Sequence, residues 1–244
     1  MPLFNKINSG ESKENQQISN KIDPHSLGDW FRNSLFISNE QKESVLRAFS
    51  DTSLPGADFL ILALFSCAIA TFGLIANSSS AIIGAMVIGP LMSRILSLSL
   101  AFITGRWKIL WQALGSIVFG VAGVLIFSSA LSLILYRLPT GANIAYTSEI
   151  IARKSPTVFD FLIALAGGST AALAVSLKRF SATLPGVAIA TALVPPLCAA
   201  GIGISFLDMS LISGAAFLFL LNLIGIFLAS AITFAFLGFR RIKK

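Results

Sequence analysis

The sequence predicts an all-α, polytopic integral membrane protein of about six transmembrane helices, arranged as two inverted three-span repeats with helices two and five broken or kinked. Three observations predict it. Hydrophobic residues make up 55% of the chain and charged residues only 12%, with a mean hydropathy of +0.82, a composition suited to lipid rather than to a soluble fold. Lys and Arg are spread unevenly between the apolar runs. A proline-centred apolar segment and a four-residue string each occur twice.

The apolar runs lie near 59–77, 80–103, 109–136, 158–177, 185–206 and 209–238. A helix needs ~20 residues to cross about 30 Å of hydrocarbon, and each run reaches or nearly reaches that length. The third and sixth are longer, which predicts tilt or extension beyond the bilayer. Orientation follows from the basic residues, because positive loops stay cytoplasmic. With the N-terminus inside, the inner segments hold Arg106, Lys108, Lys178, Arg179, Arg240, Arg241, Lys243 and Lys244, whereas the outer ones hold only Arg137, Arg153 and Lys154. Both termini are thereby placed in the cytoplasm. The net charge of +7 follows from this bias and from attraction to an anionic inner leaflet, so nucleic acid is not expected as a partner.

Six segments result. Residues 1–25 read as a disordered cytoplasmic tail, too polar to fold and without the apolar core of a signal peptide. Residues 26–57 read as amphipathic juxtamembrane helices: Leu27, Trp30, Phe31 and Leu35 recur at helical spacing, and Ser38 with Gln41 forms a capping-box pattern ahead of Val45, Leu46 and Phe49. Such helices either lie on the inner membrane surface or pack on the cytoplasmic ends of the bundle. A first three-span repeat over 58–136, an outer connection over 137–157, a second repeat over 158–238 and a basic cytoplasmic tail over 239–244 complete the chain.

The repeat rests on two echoes. Ile83-Gly84-Ala85-Met86-Val87-Ile88-Gly89-Pro90-Leu91-Met92 is matched by Ile189-Ala190-Thr191-Ala192-Leu193-Val194-Pro195-Pro196-Leu197-Cys198, and Asp58-Phe59-Leu60-Ile61 by Asp160-Phe161-Leu162-Ile163. The first pair is offset by 106 residues and the second by 102, so a four-residue gap brings them into register; the third and sixth spans show no clear alignment. Three spans per unit make the second copy enter from the opposite face. In secondary transporters built this way, discontinuous helices meet near the midplane and expose backbone and helix ends to a solute. The alternative is that Pro90, Pro195 and Pro196 kink helices for packing, with Gly84, Gly89, Gly201 and Gly203 as close contacts.

Polar chemistry within the spans is scarce. Arg94, four residues after Pro90, is the ionisable residue placed clearly inside a span, at a cost of roughly 3 kcal/mol or more. It can snorkel, bond carbonyls freed by the prolines, or hold an anion. Asn222 is the other polar candidate, suited to bonding a neighbouring helix. No carboxylate occupies a span midpoint, which disfavours a carboxylate proton relay. His25 lies in the tail, and Cys67 and Cys198 occupy different spans without a Cys-x-x-Cys, so no metal site, disulfide or haem is expected. Nucleotide-binding and intramembrane-protease motifs do not occur either, and neither catalytic residues nor a cofactor are assigned. Arg153 and Lys154 either gather anions at an entrance, with Glu149 as a gate partner, or are solvated at a turn opened by Pro156.

Several motifs stand in a recognisable order: Asn77-Ser78-Ser79-Ser80-Ala81-Ile82-Ile83-Gly84-Ala85-Met86 leading to Gly89-Pro90-Leu91-Met92, Glu149-Ile150, Ala164-Leu165-Ala166-Gly167-Gly168, Pro185-Gly186-Val187-Ala188-Ile189-Ala190, Val194-Pro195-Pro196-Leu197 and Asn222-Leu223-Ile224. In these the chain resembles, over 55–238, the hydrophobic-domain membrane family catalogued as domain of unknown function number 389. The resemblance implies a multi-span protein of a prokaryotic plasma membrane and supplies no substrate. It also implies a second proline soon after Pro90, where this chain has Arg94. The function expected is transport of a small solute or ion, an anion slightly favoured, along a path framed by Gly89, Pro90, Arg94, Pro195, Pro196 and Asn222. The chain is expected in a homo-oligomer within the lipid bilayer, and not as an enzyme. The alternative is a non-transporting scaffold or stress sensor using the amphipathic N-terminal region.

Overall fold

The structure, a computed structural model, describes residues 37–51, 56–137, 146–177 and 193–241. The chain divides into two units, Met1–Ile37 and Ser38–Lys244, and every described helix belongs to the second. The tail expected over 1–25, the apolar stripe over 27–35, the basic pair Lys178 and Arg179 and the first part of the 185–206 span lie outside the described residues.

Among the described residues all regular structure is helical: α1 (Asn39–Asp51), α2 (Ala57–Ile75), α3 (Ser79–Ile88), α4 (Leu91–Thr104), α5 (Trp107–Arg137), α6 (Ser148–Ile151), α7 (Val158–Ser176), α8 (Val194–Phe206) and α9 (Met209–Phe236), then a 3-10 turn, Phe239–Arg241. Four helices, α2, α5, α7 and α9, are each long and apolar enough to cross a membrane. Helices α3 and α4 make a fifth span if taken together, with a 45° bend at the break between them. Helix α8 has 13 residues, about 20 Å, and falls short of the hydrocarbon thickness. The described residues therefore hold four or five spans where the apolar runs predicted six. The proline pair explains the short one. Pro195 and Pro196 stand in the first turn of α8, where a missing N–H removes no intrahelical bond.

One kind of turn reverses the chain three times. Asn77, Gly105 and Leu207 each hold a positive φ (53°, 67° and 56°), and the next residue's N–H bonds back to Gly73, Ala101 and Gly203 at 2.8, 3.0 and 2.9 Å. These bonds satisfy carbonyls that a helix end leaves open. Ser78 and Asp208 then cap α3 and α9 with their side chains, and the Asp160 carboxylate accepts from the Thr157 N–H at the start of α7 at 2.7 Å.

Many small residues face inward, and many large apolar ones face outward. Ala63, Ser66, Ala70, Ser128, Ala171 and Ala199 are buried, whereas Phe65, Phe72, Ile126, Phe217 and Phe236 are exposed. That arrangement suits helices that associate in lipid, where backbone approach rather than water exclusion drives packing. Helices α7 and α9 are closest: a Cβ on Gly168 would stand 2.6 Å from the Ile226 carbonyl oxygen. Trp107 and Trp111, both exposed, follow Arg106 on α5 with Lys108, the aromatic and basic mixture of a membrane interface.

Helix α1 opens on the reciprocal Ser38 and Gln41 bonds, each 3.2 Å. It packs on the bundle. Leu46 is buried, the Ser97 hydroxyl donates to the Phe49 carbonyl at 3.4 Å, and Lys42 Nζ donates to the Gly238 carbonyl at 3.2 Å.

Candidate functional site

Helix α3 ends because Pro90 has no N–H to return to the carbonyl one turn back. Gly89 closes it by donating to the Ala85 carbonyl at 3.1 Å, and the Ser66 hydroxyl of α2 donates to the same oxygen at 2.7 Å. A Cβ on Gly89 would lie 2.9 Å from Val194 Cγ2. Glycine therefore lets the break touch the first residue of α8. The two proline segments, 106 residues apart in their prolines, meet at one place, and Pro195 and Pro196 are both buried there.

Arg94 lies one turn into α4. Its side chain does not cap the break: the residue is 6% exposed, and Nε and Nη1 are buried without an acceptor. The guanidinium carbon stands 4.6 Å over the Phe59 ring centroid, a cation–π contact. Phe59 is held there by α5, whose Gly120 would place a Cβ 2.8 Å from Phe59 Cζ and 3.2 Å from Leu91 Cδ2. Among the described residues no ion pair to Arg94 occurs. Asn222 is buried midway along α9 and is not left without a partner. Of the expected glycine contacts, Gly89, Gly201 and Gly203 pack closely against other residues, whereas Gly84 faces open space.

Linear spacing missed a second group. Cys67 of α2 and Cys198 of α8 are free, fully buried and in contact, with Sγ atoms 3.5 Å apart. Around them the Ser128 hydroxyl of α5 donates to the Cys198 carbonyl at 2.9 Å, and Thr71 and Ser128 share a hydrogen bond of 3.1 Å. This thiol and hydroxyl core ties α2, α5 and α8 together. Nothing in the sequence signals it, since the two cysteines are 131 residues apart.

The connection before α7 is a strap across two helical turns. The Thr147 hydroxyl donates to the Leu74 carbonyl at 2.7 Å, Asn77 Oδ1 accepts from the Ser148 hydroxyl and the Glu149 N–H at 2.9 and 3.1 Å, and the Ser79 hydroxyl donates to Glu149. Arg153 pairs with Glu149 at 2.9 Å and Lys154 with Asp208 at 2.7 Å. Lys154 also stands 4.5 Å over the Tyr146 ring. Neither residue is simply solvated at a turn: Arg153 is held by Glu149, the partner its sequence position suggested, and Lys154 by Asp208, which the sequence did not suggest. The Ser79 hydroxyl, then Arg153, lowers the Glu149 carboxyl below its usual range. Lys154, then the Tyr146 hydroxyl, holds Asp208 well below the carboxylate range, and burial raises the Tyr146 phenol.

Apolar helices of span length, reversed by tight turns and packed through small residues, define a multi-pass membrane protein. Residues 86–228, more than half of the chain, match the family described as domain of unknown function (DUF389), and the chain belongs to that family. It is similar to an uncharacterized protein of Methanocaldococcus jannaschii, with 27% identity over 200 residues covering 81% of this chain and 59% of the relative. The chain thus spans about three fifths of that relative's length. No solved structure matches it.

Proposed function

We propose that the chain is a membrane transport protein for a small solute or ion, whose path runs where the break at Gly89 and Pro90 meets the start of α8. In this reading it has six spans in two inverted three-span repeats, with both termini cytoplasmic, sits in a prokaryotic plasma membrane, works as a homo-oligomer and is not an enzyme. The contact of Gly89 with Val194 carries the reading, because it places both proline segments, with their irregular backbone, at one point inside the bundle.

Correspondence between the halves supports the repeat. Asp58 and Asp160, Gly105 and Leu207, Gly123 and Gly225, and Ser128 and Ser230 are each separated by 102 residues. Gly105 and Leu207 hold the same left-handed turn. Ser128 on α5 donates to the Cys198 carbonyl of α8, and Ser230 on α9 donates to the Ser99 hydroxyl of α4 at 2.7 Å. Each long helix thus bonds the post-proline helix of the other half. The helix caps Pro90 and Leu193 are 103 residues apart, one more than the other pairs, so most of the offset of 106 between Pro90 and Pro196 reflects a proline placed one turn further into α8. Gly84 and Gly115, each with open space where a Cβ would stand, offer a second copy points of close approach.

Solute flux into proteoliposomes tests the path. Pro90→Ala and Pro196→Ala should each lower flux at unchanged reconstitution, since each restores a backbone donor at the meeting point. Intact flux in both variants would remove the path from this place. No flux of anions, cations or small neutral solutes in the parent protein would leave the scaffold reading.

A further inference from the structure

We infer that Arg94 is the binding determinant for a small, weakly hydrated monovalent anion, of the chemistry of nitrate or a halide, held inside the bundle beside the break. The inference deepens the transport reading, on which its place in a path rests, but the binding itself stands on the geometry of Arg94.

Buried polar atoms in native proteins are almost always paired, and those that are not call for an explanation such as an ion. Arg94 presents three such hydrogens, one on Nε and two on Nη1, in a residue more than nine-tenths buried. Its charge is permanent, so it cannot be relieved by losing a proton. The Phe59 ring occupies one face of the guanidinium, while the N–H donors point along its edges in the plane. Position adds to the demand. Arg94 lies in the opening residues of the 14-residue α4, which begins at Pro90 with no side-chain cap. A cation at the positive end of a helix is unfavourable unless an anion is near, and the same end attracts one.

The surroundings select the class of anion. One guanidinium neutralises one negative charge, so a monovalent ion leaves the buried pair neutral, whereas sulfate or hydrogen phosphate carries in a further charge that nothing nearby offsets. Phe59, Leu91 and Gly120 form the adjoining wall and provide no side-chain donors to replace a tight hydration shell. Ions that shed water readily are therefore favoured over strongly hydrated ones.

The test is thermal unfolding of the full chain in neutral detergent, titrated with sodium nitrate and separately with sodium sulfate at matched ionic strength. The response of Arg94→Met is subtracted to remove the general salt effect of each ion. The expected result is a saturable rise in melting temperature with nitrate and none with sulfate. Arg94→Met should lose that rise, yet melt no lower than the parent in nitrate-free buffer, because it removes an unpaired buried charge. A nitrate response that survives in Arg94→Met, or an equal response to sulfate, overturns the inference. Should Arg94→Met fail to fold, Arg94→Lys decides: loss of the planar fork should raise the half-saturating nitrate concentration about tenfold, and an unchanged value rejects the site. Flux separates this inference from the transport reading. Saturable binding without nitrate flux keeps the site and removes the path, whereas flux with no Arg94-dependent binding keeps the path and removes the site.

Discussion

Two regions of this molecule treat charge in opposite ways. In the strap before α7, Arg153 and Lys154 each meet a carboxylate within 3 Å, although they are partly exposed and could be left to water. Inside the bundle Arg94 is buried, yet Nε and Nη1 have no acceptor. Energetics alone would arrange them the other way, since an exposed pair contributes about 0–1 kcal/mol while an unpaired buried charge costs several. The Lys154 and Asp208 pair fastens the strap to the turn before α9, while the Arg153 and Glu149 pair lies within the strap. The anion inferred for Arg94 would supply the missing partner.

The largest expected effect comes from breaking the strap at its backbone. Gly214 of α9 lies directly against the Lys154 carbonyl, so Gly214→Val forces the strap off α9 and should cost about 3 kcal/mol, read as a lower unfolding midpoint in detergent. An unchanged midpoint would show that the strap is not seated there. Next comes a difference of sign. Arg94→Met should be neutral or stabilising, by up to about 2 kcal/mol, in buffer free of small anions. Lys154→Met should lower the midpoint, because it strips Asp208 of its partner. If both variants move in the same direction, the contrast between the regions disappears.

The smallest effect is the pH dependence. Glu149 and Asp208 have folded pKa values below their unfolded ones, so their contribution is full above about pH 4.5 and is lost as pH falls through the folded values. Amide exchange at Ile150 and Leu211 should therefore quicken between about pH 4 and 2 relative to amides in mid-α9. Protection at these amides that rises on acidification would contradict the assignment of the pairs.

Much of the fold was legible because its signals are local. Apolar length marked α2, α5, α7 and α9, and the Ser38 and Gln41 pattern marked the start of α1. Pro195 and Pro196 were harder, since a proline pair reads equally as the middle of a broken span or as the first turn of a new helix. The proposed correspondence of α5 with α9 is hard to read as well. Between Gly123 and Ser128, as between Gly225 and Ser230, most residues are apolar and interchangeable, which blurs any alignment. The candidate site was legible in its members but not in its pairings. Gly89 and Arg94 stood out by type, while the Val194 contact, the Cys67 and Cys198 pair and the Lys154 and Asp208 bridge join residues distant in sequence.

By itself the sequence determined that this is a helical membrane protein and where most of its helices run, because hydrocarbon imposes hydropathy and length on each span separately. Only the tertiary structure decided that the two proline segments touch and that Arg94 rests on Phe59 without a carboxylate. Helices in lipid are joined by close approach at small residues and by scattered hydroxyl bonds, and these depend on which faces meet rather than on how apolar each face is.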